Sequence, residues 1–310
     1  MRTRSVAALS ALALSALVLA GCSGTPSEEP SDNALCAAAA PSGKASESIK
    51  VDGKVGEASK ATFETPIEIK SLERTVLFEG DGKPIDGDSL VSYALSAFSA
   101  ETGDELGTVG YGDGLLLPSQ ITPESPLGQV LGCATVGSRI IATFPSSAEA
   151  PGEVYIMDVL DTVPTAAWGE EQAPVEGMPT VTLDDKGTPS VKMPGGDAPA
   201  GIEIAVLKKG DGQKVEAGDT TLLQYYGADW ATGESFDSSW SRGAPYSNPG
   251  NQYVAGFVQA LDGQTVGSQV LVVIPPALGY GEAGSSEHQL AGKTLVFVID
   301  ILATAHAVQQ

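Results

Sequence analysis

Apolar residues in the C-terminal half fall in short runs cut by Gly, Pro, Asn, Asp or Ser. The pattern predicts strands at Ile202 to Leu207, Thr220 to Tyr226, Gln269 to Ile274 and Thr294 to Leu302. One brief stretch, Phe257 to Leu261, predicts a helix. Strands dominating around one short helix predict an α+β domain of about 100 residues, an antiparallel curved sheet wrapped on the helix with a pocket between them. Two stretches lack apolar periodicity. Ser23 to Ser48, rich in Ser, Pro, Ala and Glu, predicts a flexible tether. Trp168 to Ala200, with Pro174, Pro179, Pro189, Pro194 and Pro199, predicts a semi-stiff linker from which Val175 to Val191 is able to lay a strand onto a neighbouring domain. At the N-terminus Arg2 and Arg4 precede the run Val6 to Ala20, too short and too rich in small residues for a comfortable membrane span.

The chain repeats itself. Glu73 to Leu77 followed by Gly80-Asp81-Gly82 answers Glu203 to Leu207 followed by Gly210-Asp211-Gly212, an offset of 130. Thr102-Gly103 and Thr135-Val136-Gly137-Ser138 recur at the same offset, whereas Tyr155 to Leu160 matches Phe297 to Leu302 at 142. A constant spacing that jumps by 12 means that the first copy lacks about a dozen residues before its last strand. The organisation read from these patterns is a targeting segment 1–21, a tether 22–48, a first domain 49–165, a linker 166–200 and a second domain 201–310.

Charge and cysteines narrow the setting. The net charge is −22, and it becomes −24 without residues 1–21, which hold two Arg and no acid. An anionic body argues against a nucleic-acid partner and against electrostatic adsorption to anionic lipid. Leu19-Ala20-Gly21-Cys22 resembles the lipobox of bacterial lipoproteins, which implies cleavage after Gly21 and lipidation of Cys22; an ordinary secretory signal that happens to contain a Cys is the alternative. An exported protein sits where thiols oxidise, so Cys36 and Cys133 are expected to form a disulfide, with two free thiols as the alternative.

Only 6% of the chain is aromatic, yet the second copy bunches Tyr225, Phe236, Tyr246, Phe257, Tyr280 and Phe297 around Asp237. That composition suits an apolar pocket with a few aimed polar groups, and a ligand that is apolar but carries carbonyls, such as a prolyl peptide. Hydrolase chemistry lacks its parts. The two histidines, His288 and His306, accompany no Gly-X-Ser-X-Gly elbow, and no cluster has metal-ligand spacing. Gly210-Asp211-Gly212 lacks the lysine and helix of a phosphate loop, so neither a metal nor a cofactor is implied.

The order Gly210-Asp211-Gly212, Leu223 to Gly227, Thr232 to Ser239, Gly256-Phe257, Gly263 to Gly267, Ile274-Pro275-Pro276, Gly279-Tyr280-Gly281 and Thr294 to Phe297 resembles the FKBP family of peptidyl-prolyl cis/trans isomerases. The resemblance implies two FKBP-like α+β domains, of which the second is the isomerase. It implies Phe257 as the floor under the prolyl ring, walled by Tyr225, Phe236, Tyr246 and Phe297. Asp237 faces the twisting carbonyl, Val254 offers a backbone N–H, the Tyr280 hydroxyl is a second donor, Arg242 steadies the Asp and Leu290 adds an apolar contact. Asp237, Tyr280 and Tyr225 form the candidate catalytic set. Phe257 stands where many members carry Trp, which implies weak binding of macrolide immunophilin ligands. In the first copy Leu106-Gly107 replaces Phe236-Asp237 and the Tyr280 counterpart is missing, so the same fold is expected there without the isomerase site.

The expected function is therefore a lipid-anchored isomerase acting outside the cytoplasm on proline-containing peptides or unfolded exported proteins. A non-catalytic peptide-binding chaperone using the same pocket is the competing class, and a purely structural surface lipoprotein the third.

Overall fold

A computed structural model describes residues 34–87, 89–112 and 116–306. Cys22 and the targeting segment lie outside the described residues. Two antiparallel sheets of like topology dominate. In the second domain the strand order is Ser235–Ser238, Thr220–Asp229, Leu295–Ala305, Gln269–Ile274, Glu203–Lys209 and Glu170–Glu171, with Tyr246–Pro249 pairing the other half of Thr220–Asp229. In the first domain it is Glu105–Val109, Leu90–Ser99, Glu153–Val163, Arg139–Phe144 and Glu73–Phe78. Register shifts recur at matching places: between Val76 and Phe78 as between Val206 and Lys208, between Ser92 and Tyr93 as between Leu222 and Leu223, and between Ala97 and Phe98 as between Gly227 and Ala228. A bulge bends its strand at a defined point, so shared bulges give the two sheets the same curl.

The core strands are apolar on both faces, and the structure shows why. In the second domain Leu223, Tyr225, Val270, Val272, Ile274, Phe297 and Ile299 pack beneath the helix Ala255–Leu261, through Phe257, Ala260 and Leu261. Their alternate neighbours Leu271, Val273, Val296 and Val298 are buried on the opposite face under Met178, Val181, Val191 and Met193. The helix sits close because Gly256 lies against the sheet, where an added Cβ would fall 2.5 Å from Ile274 Cγ2.

Two expectations need correction. The stretch 166–200 is not a spacer: Thr180–Leu183 and Pro189–Lys192 pair as a hairpin laid on the outer face of the second sheet, and Glu170–Glu171 extends that sheet. Nor is 34–48 a tether. Two short helices, Ala34–Ala38 and Lys44–Ser48, form there; Leu35 is fully buried, and the Glu73 carboxylate accepts the Ala45 and Ser46 N–H groups at 3.0 Å each. Cys36 is disulfide-bonded to Cys133 across 97 residues of sequence. These contacts are tertiary and leave no periodicity in the segment itself. Among the described residues no helix is long and apolar enough to cross a membrane.

Each outer face is pinned through an aspartate at the same place in the repeat. In the first domain Asp158 and Arg139, 0% and 2% exposed, form a two-bonded ion pair, and the guanidinium also donates to the Gly53, Lys54 and Glu57 carbonyls of the loop joining Lys50–Asp52 to Lys60–Thr62. In the second, Gln269 replaces the arginine: Asp300 accepts from Gln269 Nε2 at 2.7 Å and from the Ala167 N–H at 2.8 Å. Without a directly paired cation, burial dominates and lifts the Asp300 carboxyl to about 6 from its ordinary 3.8.

The folded state therefore binds this proton more tightly than the unfolded chain, and ionising Asp300 above pH 6 subtracts stability that is regained as pH falls from 6 to 3.8. The shift of about two pH units corresponds to up to about 3 kcal/mol. Asp300→Asn keeps the acceptor for Ala167 and, after Gln269 flips, a donor to its amide oxygen. Denaturant unfolding of the second domain at several pH values should show the variant ahead by that amount at pH 8 and level with the parent below pH 4. A pH-independent difference would refute the assignment.

Candidate active site

The site occupies the mouth between the helix Ala255–Leu261 and the concave face of the second sheet. Alternation along Thr220–Asp229 aims Leu223 and Tyr225 into this space and Gln224 and Tyr226 away from it. Tyr225, Phe257 and Phe297 are buried and in mutual edge contact, with centroid separations of 6.3 Å (Tyr225 to Phe257), 6.3 Å (Tyr225 to Phe297) and 5.2 Å (Phe257 to Phe297). Phe236 meets Phe297 edge-on at 5.5 Å, and Tyr246 meets Tyr225 at 5.7 Å. Phe236 is half-buried and Tyr246 exposed, so the floor is dry and the walls reach solvent. Gly227, opposite both Asp237 and Phe297 in the sheet, makes the close ring approach possible: a Cβ there would stand 2.7 Å from the Phe236 ring and 2.8 Å from the Phe297 ring.

Asp237 sits on the rim, placed by the edge strand Ser235–Ser238. It accepts a 2.5 Å hydrogen bond from the Tyr225 hydroxyl and pairs with Arg242, whose Nη2 donates to the same hydroxyl at 2.8 Å. The one-turn helix Ser239–Arg242 delivers the arginine, its guanidinium lying 5.2 Å from the Tyr225 ring centre and 5.9 Å from that of Tyr246. Asp237 and Arg242 are each about two-fifths exposed, so the pair contributes little to stability and its consequence is orientation. Burial, and then the Asp237 carboxylate, push the Tyr225 phenol up to about 12.

Tyr280 belongs to the same group. Its phenol is raised first by burial and then by the neighbouring charge of Asp237, so it stays protonated as a donor through the neutral range. Its ring stacks on His288 at 3.8 Å, and His288 Nδ1 accepts the Leu290 N–H at 3.2 Å, which ties the tip loop to the phenol. Leu290 is buried in the helix-side core. Val254 caps the helix start; its carbonyl accepts the Phe257 and Val258 N–H groups, and its own N–H has no acceptor among the described residues. One wall residue escaped the sequence reading. Tyr253 stacks on Phe257 at 4.8 Å and touches Tyr246 at 6.2 Å, and its place next to Val254 in an aromatic-poor chain was the available signal.

The first domain has an apolar recess of about 440 Å³ at the corresponding place, lined by Leu95, Leu127, Phe144, Tyr155 and Met157. Gly107, opposite Ala97, stands there in the place of Asp237, while Glu153 lines the recess and accepts from the Tyr155 hydroxyl. Cys36 and Cys133 also belong to this domain and lie outside the aromatic site. Among the described residues no group of three or more His, Cys, Asp or Glu side chains could hold a metal.

A dry aromatic floor with a fixed carboxylate and a phenol at its edge is chemically suited to an apolar, carbonyl-bearing ligand. Residues 211–302, which contain every aromatic of the second-domain site, match the family described as FKBP-type peptidyl-prolyl cis-trans isomerase. The chain is 40% identical over 114 residues to a probable FK506-binding protein of Corynebacterium glutamicum, covering 37% of this chain and 96% of that one. It is 39% identical over 118 residues to an FK506-binding protein of Streptomyces anulatus, covering 37% and 95%. The crystal structure of FkpA from Escherichia coli aligns with a TM-score of 0.32 at 26% identity, over 42% of this chain and 53% of that one. The chain belongs to the FKBP-type peptidyl-prolyl cis-trans isomerases.

Proposed function

We propose that this isomerase acts on X-Pro bonds of exported proteins at the outer face of a membrane, held there through a lipid on Cys22. The observation that carries the site assignment is Asp237, fixed by Tyr225 and Arg242 over a floor of buried rings. Rotation about a peptide bond meets a barrier of about 18 to 20 kcal/mol because resonance stiffens the C–N bond. Water strengthens that resonance by solvating the charge-separated amide, so a dry enclosure favours the twisted form. X-Pro bonds suit such a catalyst because cis lies only about 0.5 to 1 kcal/mol above trans while exchange is slow. In this reading Tyr280 and the Val254 N–H donate to the twisted carbonyls, and stabilisation confined to the twisted state is what accelerates the step.

Asp237→Ala should lower kcat/KM about tenfold on a proline tetrapeptide in a protease-coupled assay, a loss of about 1.4 kcal/mol. The exposed pair contributes little to folding, so stability should hold. Full activity in the variant refutes the role given to Asp237.

The setting is supported by the Cys36–Cys133 disulfide, since such bonds persist in oxidising compartments, and by the apolar run that ends at Cys22. Labelling cells with a radioactive fatty acid should mark the parent and leave Cys22→Ser unlabelled. A label retained by that variant refutes the anchor. The Phe257 floor supports weak affinity for FK506-type ligands. For the first domain, the apolar recess without a counterpart of Asp237 supports peptide binding without turnover.

A further inference from the structure

A second cavity, of about 850 Å³, opens beside the active site where the two domains meet. The first domain contributes Gln120 and, just beyond its last strand, Thr165; the outer hairpin contributes Lys186; the second domain contributes Gln224 and Trp240. Phe236 and Asp237 line this cleft as well as the aromatic site, so the two spaces share one rim. The junction is built. Leu90 of the first sheet and Leu222 and Leu302 of the second bury one another with Val163 and Ala303 packed alongside, and Gln120 Nε2 donates to the Gly243 carbonyl at 3.4 Å.

One wall of the cleft is polar. Gln224 is only 5% exposed, pointing away from the aromatic floor by strand alternation. Its amide oxygen accepts the Ser239 hydroxyl, while among the described residues nothing accepts from its Nε2. Trp240 adds an indole N–H that is shut off from solvent and has no acceptor. The indole N–H is closed to solvent, so the donor this wall offers a ligand is Gln224 Nε2, which calls for an acceptor. Its volume lies within the roughly 300–1,000 Å³ of small-ligand sites. The acceptors carried by any chain whose proline occupies the neighbouring floor are its own backbone carbonyls.

Resting on the isomerase reading of the aromatic site, we propose that this interdomain cleft binds the polypeptide flanking the substrate proline, with one of its carbonyls on Gln224 Nε2. The preferred substrates are then long extended chains, not short peptides, and the degenerate first domain serves catalysis by supplying one wall.

The test uses the full chain and two substrates: a proline tetrapeptide, and an unfolded protein whose refolding is limited by proline isomerisation. Gln120→Trp and Lys186→Trp, both at exposed positions outside the aromatic site, fill the cleft. Each should lower kcat/KM on the protein about fivefold, the loss expected for one neutral hydrogen bond, and leave the tetrapeptide rate unchanged. In the ¹⁵N-labelled parent, the Trp240 indole resonance should move when a long proline peptide is added and stay fixed with the tetrapeptide. Equal effects on both substrates, no effect on either, or an indole resonance that ignores the long peptide would overturn the proposal. A parent chain inactive on the tetrapeptide would sink the isomerase reading instead, with the indole titration still reporting on the cleft.

Discussion

Arg139→Met should destabilise the first domain by about 3–5 kcal/mol, the usual effect of removing one partner from a buried ion pair. Asp158 is 0% exposed and both its oxygens accept from the guanidinium, at 2.6 and 2.7 Å. Methionine fills most of the space but leaves the carboxylate with the Gly56 N–H and the Tyr111 hydroxyl as its remaining partners, and strands the Gly53 and Glu57 carbonyls, whereas that of Lys54 keeps the Glu57 N–H. The loop they belong to should loosen first, exposing the layer in which Val51, Ala61 and Phe63 cover Ile141, Val154 and Ile156. Hydrogen exchange at Ile140 and Ile141 reads this directly, and the tetrapeptide rate should not move, because the ion pair lies in the other domain. Adding Asp158→Leu should restore part of the loss, since the uncompensated charge is then gone. A single-variant loss below about 1 kcal/mol, typical of an exposed pair, would show that the pair is not the clamp.

The repeat explains why much of this was readable before any coordinates. Strands such as Gln269–Ile274 stand out because both faces are covered, which turns alternation into a continuous apolar run bounded by Gly-Ser and Pro. That Tyr225, Asp237, Phe257 and Phe297 come together was legible because turn-flanked motifs fixed which strands carry Tyr225, Asp237 and Phe297 and placed Phe257 on the one short helix. What escaped depends on partners remote in sequence. Ala34–Ala38 is too short to show a helical period and is held by Cys133 and by burial of Leu35. The proline-rich stretch reads as a spacer, yet Val181, Val191 and Met193 find an apolar face that only the assembled sheet presents. The interdomain cleft is further removed still, because Gln224 is an unremarkable strand polar until Gln120 is placed opposite.

Phe257→Ala should remove both the fold's local support and its chemistry. The ring is 4% exposed and touches Tyr253, Tyr225 and Phe297, so truncation leaves a cavity at the helix start and should destabilise the second domain by about 3–5 kcal/mol. If the rate depends on a dry floor, water entering that cavity solvates the amide and restores its resonance, and kcat/KM on the tetrapeptide should fall by about 100-fold, or 2.7 kcal/mol. Stability and chemistry are separated by Phe257→Leu, which keeps an apolar group of similar reach, should cost under about 1.5 kcal/mol in folding, and yet removes the flat face. With the leucine variant shown folded by its unfolding midpoint, a fall of about tenfold in kcat/KM assigns the floor to substrate binding by an aromatic plane. Parental activity in both variants would mean that the proline does not sit on Phe257 at all, and the site would have to be sought along the exposed wall of Tyr246 and Phe236.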